Sequence, residues 1–254
     1  VSTRGVIYNS RFLDCIPIFA ARVEEASEIL AHIAGYDAED PWSRRDADTI
    51  LTAPQEAPTR RLAIPRIDQL RFFGDADAEA AFAADLDRLR ALGFTLEEID
   101  FAPFDEAARL VFQSALVAER LVDYGEVIAT HRAAIHPAVL ASIEPGLGYS
   151  AKEAFEVIYR MKALQRTAEQ VLSSYAALVT PTVPTLYTIE EMLADPMGRN
   201  AVMGTYTYCV NPMDLCAVSV PGVPARAGLP SAVSFVGPAG ADGIVAGLAT
   251  RFAG

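Results

Sequence analysis

The sequence has little cysteine, little histidine, few basic residues and no long apolar run. Cys15, Cys209 and Cys216 are an odd, sparse set without the spacing of a zinc site or a secreted disulfide framework. A reduced, cytosolic compartment is the expectation. His32, His131 and His136 include no pair at the i, i+4 spacing of a helical metal site, so no metal and no cofactor is expected. Lys and Arg total 21 against 33 Asp and Glu, a net charge of -12. Nucleic-acid binding releases counterions through clustered cations. No basic stripe is present, and no nucleic-acid partner is expected. No apolar run reaches the roughly 18–20 residues of a membrane span. The first 20 residues lack the basic start and apolar block of a signal peptide. No membrane association is expected.

What remains is a chain of 254 residues, 52% hydrophobic and 21% charged. Disorder needs low hydrophobicity, so it is excluded as the main state. A chain this long buries on the order of 70% of its unfolded surface without a disulfide or metal staple. We read residues 1–254 as one α/β domain. The first residue is Val1. Residues 1–7 read like the middle of a folded segment, through either methionine removal or fragmentation.

Periodicity supplies the elements. Short extended stretches are expected at 5–8 and 15–19. Val23, Ala26, Ile29, Leu30 and Ile33 recur at helical spacing over 21–33. A polar connector with Pro41, Pro54 and Pro58 follows, carrying one helical turn at 46–51. Residues 61–65 read as a strand and 77–92 as an amphipathic helix closed by Gly93. Residues 94–99 read as a strand with Phe94, Leu96 and Ile99 inward. That order suggests a crossover unit on one sheet. Two long helices are expected next. One spans 105–130, with Ala108, Val111, Ala115, Ala118 and Val122 as its stripe. The other spans 150–174, opened by a Ser150/Glu153 capping box. Strands are expected at 176–180, stopped by Pro181, and at 217–220 and 231–236. Helices are expected at 189–193, 203–214 and 240–252.

The usual catalytic motifs are absent: no P-loop, dinucleotide fingerprint or nucleophile elbow. Gly146-Leu-Gly148 follows a proline and lies between no strand and helix, so it reads as structural. The acidic pairs Glu24-Glu25, Glu97-Glu98 and Glu190-Glu191 are sequence neighbours, which point apart on a helix or strand. They read as solvated faces. His136-Pro137 reads as a helix start, Ser173-Ser174 as a helix close, and Cys209 and Cys216 as small apolar groups.

Taken in order, several segments resemble one family. Val1-Ser-Thr-Arg-Gly-Val-Ile7 and Ser10-Arg-Phe-Leu-Asp-Cys-Ile-Pro-Ile-Phe-Ala20 look like the segment after the catalytic core of amidase-signature enzymes. Arg61-Leu-Ala-Ile-Pro65 and Leu178-Val-Thr-Pro-Thr-Val-Pro-Thr185 resemble two of its strands. Leu215-Cys-Ala-Val-Ser-Val-Pro-Gly222 and Gly228-Leu-Pro-Ser-Ala-Val-Ser-Phe-Val-Gly-Pro238 resemble its C-terminal signature. Ala115-Leu-Val-Ala-Glu-Arg120, Pro184-Thr-Leu-Tyr-Thr-Ile189, Ala194-Asp-Pro-Met197 and Gly204-Thr-Tyr-Thr207 resemble the allophanate hydrolase branch.

The resemblance implies a partial amidase-signature fold: a mixed β-sheet flanked by helices. It implies amide hydrolysis by a Ser–cis-Ser–Lys triad, in which an activated serine attacks the carbonyl and backbone N–H groups hold the oxyanion. The triad would precede the segment matching residues 1–5. This chain would then hold no catalytic residue and be inactive alone, with a missing N-terminal half or a partner chain completing it. In the branch, an arginine grips the substrate carboxylate and a tyrosine eight residues earlier assists. Arg120 matches the arginine, and its guanidinium suits a carboxylate. Phe112 stands at the tyrosine position and lacks the hydroxyl. Tyr187 and Asn200 lie near motif positions without an assigned role. The implied substrate is a small carboxylated urea or amide, cleaved to ammonia and CO2. The alternative is a non-catalytic, amidase-derived module for binding or assembly. A role of the amidotransferase type is disfavoured by the Val117-Ala-Glu-Arg120 match. The oligomeric state stays open, a homodimer included.

Overall fold

The computed structural model describes residues 1–226 and 228–254. Five strands form one mixed sheet: β1 (Arg61–Pro65), β2 (Thr95–Ile99), β3 (Leu178–Pro181), β4 (Leu215–Pro221) and β5 (Ala232–Pro238). Their spatial order is β2-β1-β3-β5-β4. β1 runs parallel to β2 and β3, while β3/β5 and β5/β4 are antiparallel. The sequence order explains the split. β1 reaches β2 through a helix, which returns the chain in the same direction.

Helices cover both faces. α1 (Val23–Ile33), α2 (Ala76–Ala91) and α9 (Asp242–Ala253) lie on one side. Their Val23, Phe82, Leu86, Leu89, Val245 and Phe252 pack on Leu62, Val179 and Phe235. On the other side lie α3 (Ala102–Phe112) and α6 (Ala151–Leu172). Phe104, Ala107, Met161, Leu164 and Ala168 there meet Ala63, Leu178 and Val236. Successive strand residues alternate between these faces. β1 and β3, in the middle, are therefore apolar on both. Arg61 is the one exposed residue of β1, and every β3 residue is buried.

Local chemistry sets the ends. Asp75 accepts a hydrogen bond from the Ala78 N–H and starts α2. Ser150 and Glu153 form the expected capping box of α6. The remaining helices are α4 (Arg120–His131), α5 (Pro137–Ile143), α7 (Ile189–Ala194) and α8 (Pro196–Met203). His136 accepts from the Ala138 N–H at the start of α5, so its ring caps a helix.

Five expectations are corrected. The helix read over 105–130 is three pieces: α3, a 3-10 turn Ala115–Glu119, and α4. The helix read over 203–214 is a run of turns, and the helix lies earlier, in α8. Asp195 caps α8 and Pro196 stands in its first turn, a start signal stronger than the apolar pattern that followed. Ile99 points away from Phe94 and Leu96, because an odd offset on a strand changes face. Pro181 closes β3 from inside; the next N–H, of Thr182, bonds the Ala232 carbonyl. The extended stretches at 5–8 and 15–19 join no strand among the described residues.

Candidate active-site wall

The site is built at the break in the 102–131 stretch. α3 ends at Phe112, and Ser114 adopts an extended backbone. Its hydroxyl donates to the Leu110 carbonyl behind it and accepts from the Leu116 N–H ahead at 3.3 Å. One side chain thus closes one helix and opens the next turn. The break resets the helical phase. On an unbroken helix, Arg120 would sit about half a turn around from Val111, on the solvent side. After the break Arg120 is 4% exposed and Val122, expected in the stripe, is 73% exposed.

Arg120 Nη1 donates to the Ser142 carbonyl at 2.9 Å. That is the only side-chain hydrogen bond of the guanidinium among the described residues, and it forms no ion pair there. Its Cζ lies 4.9 Å from the centre of the Phe112 ring. A cation over an aromatic face is attracted to the ring quadrupole. Burial lowers the Arg120 pKa, and the charges of Asp14 and Glu119 oppose that. An arginine stays protonated regardless. The result is a buried cation with several N–H donors uncommitted to protein acceptors. Phe112 itself is 37% exposed, and its other neighbour is the Tyr208 ring at 4.8 Å.

Glu119, next to Arg120, does a different task. Its carboxylate accepts from the Ser10 hydroxyl, from Arg11 N–H at 2.7 Å and from Phe12 N–H at 3.3 Å. Arg11 forks onto Asp123 at 2.7 and 2.8 Å, and the Tyr124 hydroxyl donates to the Tyr8 carbonyl at 2.7 Å. The N-terminal segment is therefore tied to α4 by three neighbouring residues. The sequence reading singled out Arg120 and passed over Glu119. The one signal in the sequence was an acidic residue next to the motif arginine. Gly146 closes the site from behind. A Cβ there would lie 2.8 Å from Ala118 Cα, so only glycine lets the 3-10 turn Glu144–Gly148 lie against the 115–119 turn.

The other singled-out groups are structural here. Glu97 forks onto Arg61 at 2.7 and 2.8 Å, and Glu191 completes a capping box with Thr188. Ser173 donates to the Gln170 carbonyl. Burial pushes the Cys209 and Cys216 thiols up to about 12, far from the thiolate range. The Tyr187 ring lies under Arg199, and the Asn200 carbonyl accepts from Tyr208. The two lysines, Lys152 and Lys162, stand exposed on α6. Among the described residues no three His, Cys, Asp or Glu group to hold a metal, and no helix is long and apolar enough to cross a membrane. Concavities of about 50 and 60 Å3 open near Arg60 and near Arg71. Both are well below the roughly 300–1,000 Å3 of an enclosing ligand site. Arg120 lines neither of these two concavities.

Fold and site together define a mixed sheet between two helical layers, with a buried cation at the start of α4. The chain belongs to the amidase family, whose model matches residues 1–245. It is 29% identical to urea amidolyase of Lachancea kluyveri over 99% of its own length and 14% of that protein. It is 28% identical to a glutamyl-tRNA(Gln) amidotransferase chain of Anaeromyxobacter, covering 93% of this chain and 53% of the relative. Allophanate hydrolase of Kluyveromyces lactis superposes with a TM-score of 0.89 at 27% identity, over 99% of this chain and 41% of that one. The chain thus spans between a seventh and about half of the curated relatives it matches.

Proposed function

We propose that this chain is the substrate-holding part of an allophanate hydrolase-type amidohydrolase. Arg120 receives the carboxylate of a small carboxylated urea, and the Ser–cis-Ser–Lys triad comes from sequence outside these residues. The single observation that carries the reading is Arg120: 4% exposed, cationic, and bonded to one neutral carbonyl. A buried cation with no direct ion pair among the described residues costs folding free energy. A carboxylate offers what the site lacks, two charged acceptors matched to the guanidinium fork. Placement beside Phe112 leaves an apolar floor under the ligand. The exposed lysines support the second half of the reading, since a buried, neutral lysine base has no candidate among the described residues.

The test is kinetic, in the whole protein that carries these residues. Arg120→Ala is expected to raise KM for allophanate roughly 30-fold or more, the equivalent of losing about 2 kcal/mol or more of a charge-assisted pair. Purified residues 1–254 alone are expected to show no turnover. An unchanged KM removes Arg120 from the site, and turnover by the isolated chain overturns the triad's placement.

A further inference from the structure

We propose that Tyr208 is a specificity-determining residue of the same wall, its hydroxyl serving as the second donor to the carboxylate held by Arg120. The inference rests on the carboxylate reading of Arg120. It begins from two contacts around the Phe112 ring. Phe112 carries Arg120 at 4.9 Å from its centre, and Tyr208 at 4.8 Å centre to centre. Phe112 has no hydroxyl; Tyr208 carries the phenol of this aromatic pair, and the Arg120 charge acts on it. The ring has a fixed seat. A Cβ at Gly204 would run into the Tyr208 ring, so the glycine at the end of α8 makes the room it occupies. The same ring also meets Phe112, and a side chain held by two contacts delivers its hydroxyl with little entropy left to lose.

The hydroxyl is available for exchange. It donates to the Asn200 carbonyl at 3.1 Å, a neutral acceptor at the long end of hydroxyl bonding. A carboxylate oxygen is a charged acceptor and forms a shorter and stronger bond with the same proton. A ligand anion therefore competes well for it, while a neutral amide competes poorly. The two groups also share a field. Burial pushes the Tyr208 hydroxyl pKa up, and the Arg120 charge pulls it down. The phenol stays protonated near neutral pH in either case, as a donor must. Arg120 alone attracts any anion. Arg120 with a fixed phenol selects one whose second oxygen reaches the phenol.

The probe is malonamate, the stable analogue of allophanate in which CH2 replaces the bridging NH; malonamide, its neutral diamide, is the control. Binding of both is measured by calorimetry on the whole protein. Tyr208→Phe keeps the ring against Phe112 and Gly204 and removes one oxygen. It is expected to weaken malonamate binding about fivefold to tenfold, one charge-assisted hydrogen bond, and to leave malonamide unchanged. Phe112→Tyr in the Tyr208→Phe background returns a hydroxyl to the same ring pair and is expected to recover part of the loss. If Arg120→Ala abolishes malonamate binding while Tyr208→Phe leaves it unchanged, Tyr208 is only packing and the inference fails alone. If Arg120→Ala leaves malonamate binding unchanged, the carboxylate reading itself fails. Equal weakening of malonamate and malonamide by Tyr208→Phe also overturns the inference, because a structural defect does not choose between a carboxylate and an amide.

Discussion

α2 and the 102–131 stretch are both apolar-striped helical segments, and they resolve in opposite ways. α2 runs 16 residues without interruption and buries one stripe, Ala81, Phe82, Leu86 and Leu89, against the sheet. The 102–131 stretch breaks after Phe112, turns once as a 3-10 helix and restarts at Arg120. The aspartates in the second half of α2 leave its backbone alone: Asp85 accepts from the Val223 N–H and Asp87 from Arg90. The second stretch has Ser114, whose hydroxyl bonds backbone on both sides. The unbroken helix supports the sheet. The broken one delivers a charged side chain to the interior, which an unbroken stripe would have kept in water. Binding residues on rephased segments are one route by which a stable scaffold carries a costly group.

The largest difference between the regions is expected in stability. Leu89 is fully buried in the first core face, between α2 and the sheet. Leu89→Ala removes its methyl groups and leaves a cavity, at a cost of about 2–5 kcal/mol. Chemical denaturation reads this directly as a lower midpoint at unchanged slope. A loss below about 1 kcal/mol would mean that the α2 face does not anchor the fold.

A middle-sized effect comes from the one charged group buried on α2. Asp85 is 1% exposed and accepts from the Val223 N–H at 2.8 Å. Burial raises its carboxyl pKa from the ordinary aspartate value. The folded chain therefore binds this proton at a pH where the unfolded chain has released it. The contribution of Asp85 to stability grows as pH falls through the raised folded value and is lost as pH rises. Asp85→Asn keeps an acceptor for Val223 and removes the ionisation, so stability against pH is expected to flatten in that window. Asp85→Ala leaves the Val223 N–H unpaired and is expected to cost about 1–3 kcal/mol. Melting curves from pH 4 to 7 separate the two. Identical pH slopes for wild type and Asp85→Asn would exclude the buried carboxyl as their source.

The same contrast explains what was legible in the sequence. α1, α2, α6 and α9 have regular apolar spacing, α6 has its readable capping box, and the β1–α2–β2 crossover follows from their order. Both Arg120 and Phe112 came from a motif match, and the structure places them against one another. The break between them was not legible. Apolar residues recur through 108–122 as if one helix ran on, and one serine outweighs that pattern by local hydrogen bonding. The clamp on Glu119 was hidden for another reason. Its partners, residues 10–12, are about a hundred positions away in the chain. Tyr208 was hidden likewise, since the segment that carries it was read as helix and is a run of turns.

The smallest expected effect is the most direct check on the break. Val122 belongs to the apolar stripe that an unbroken 105–130 helix would bury, yet it stands 73% exposed. The two arrangements give different costs for one substitution. Val122→Ser on a buried stripe removes a packed apolar side chain and buries a hydroxyl, at about 1–3 kcal/mol or more. On an exposed face it changes stability by no more than about 0.5 kcal/mol. The second outcome is expected. Val111→Ser, at a position 6% exposed on α3, is the matched control that must cost more. The pair reads the helical phase on either side of Ser114. A large loss at Val122 would put that residue inside and turn Arg120 back to solvent, and with it would go the wall on which the carboxylate reading stands.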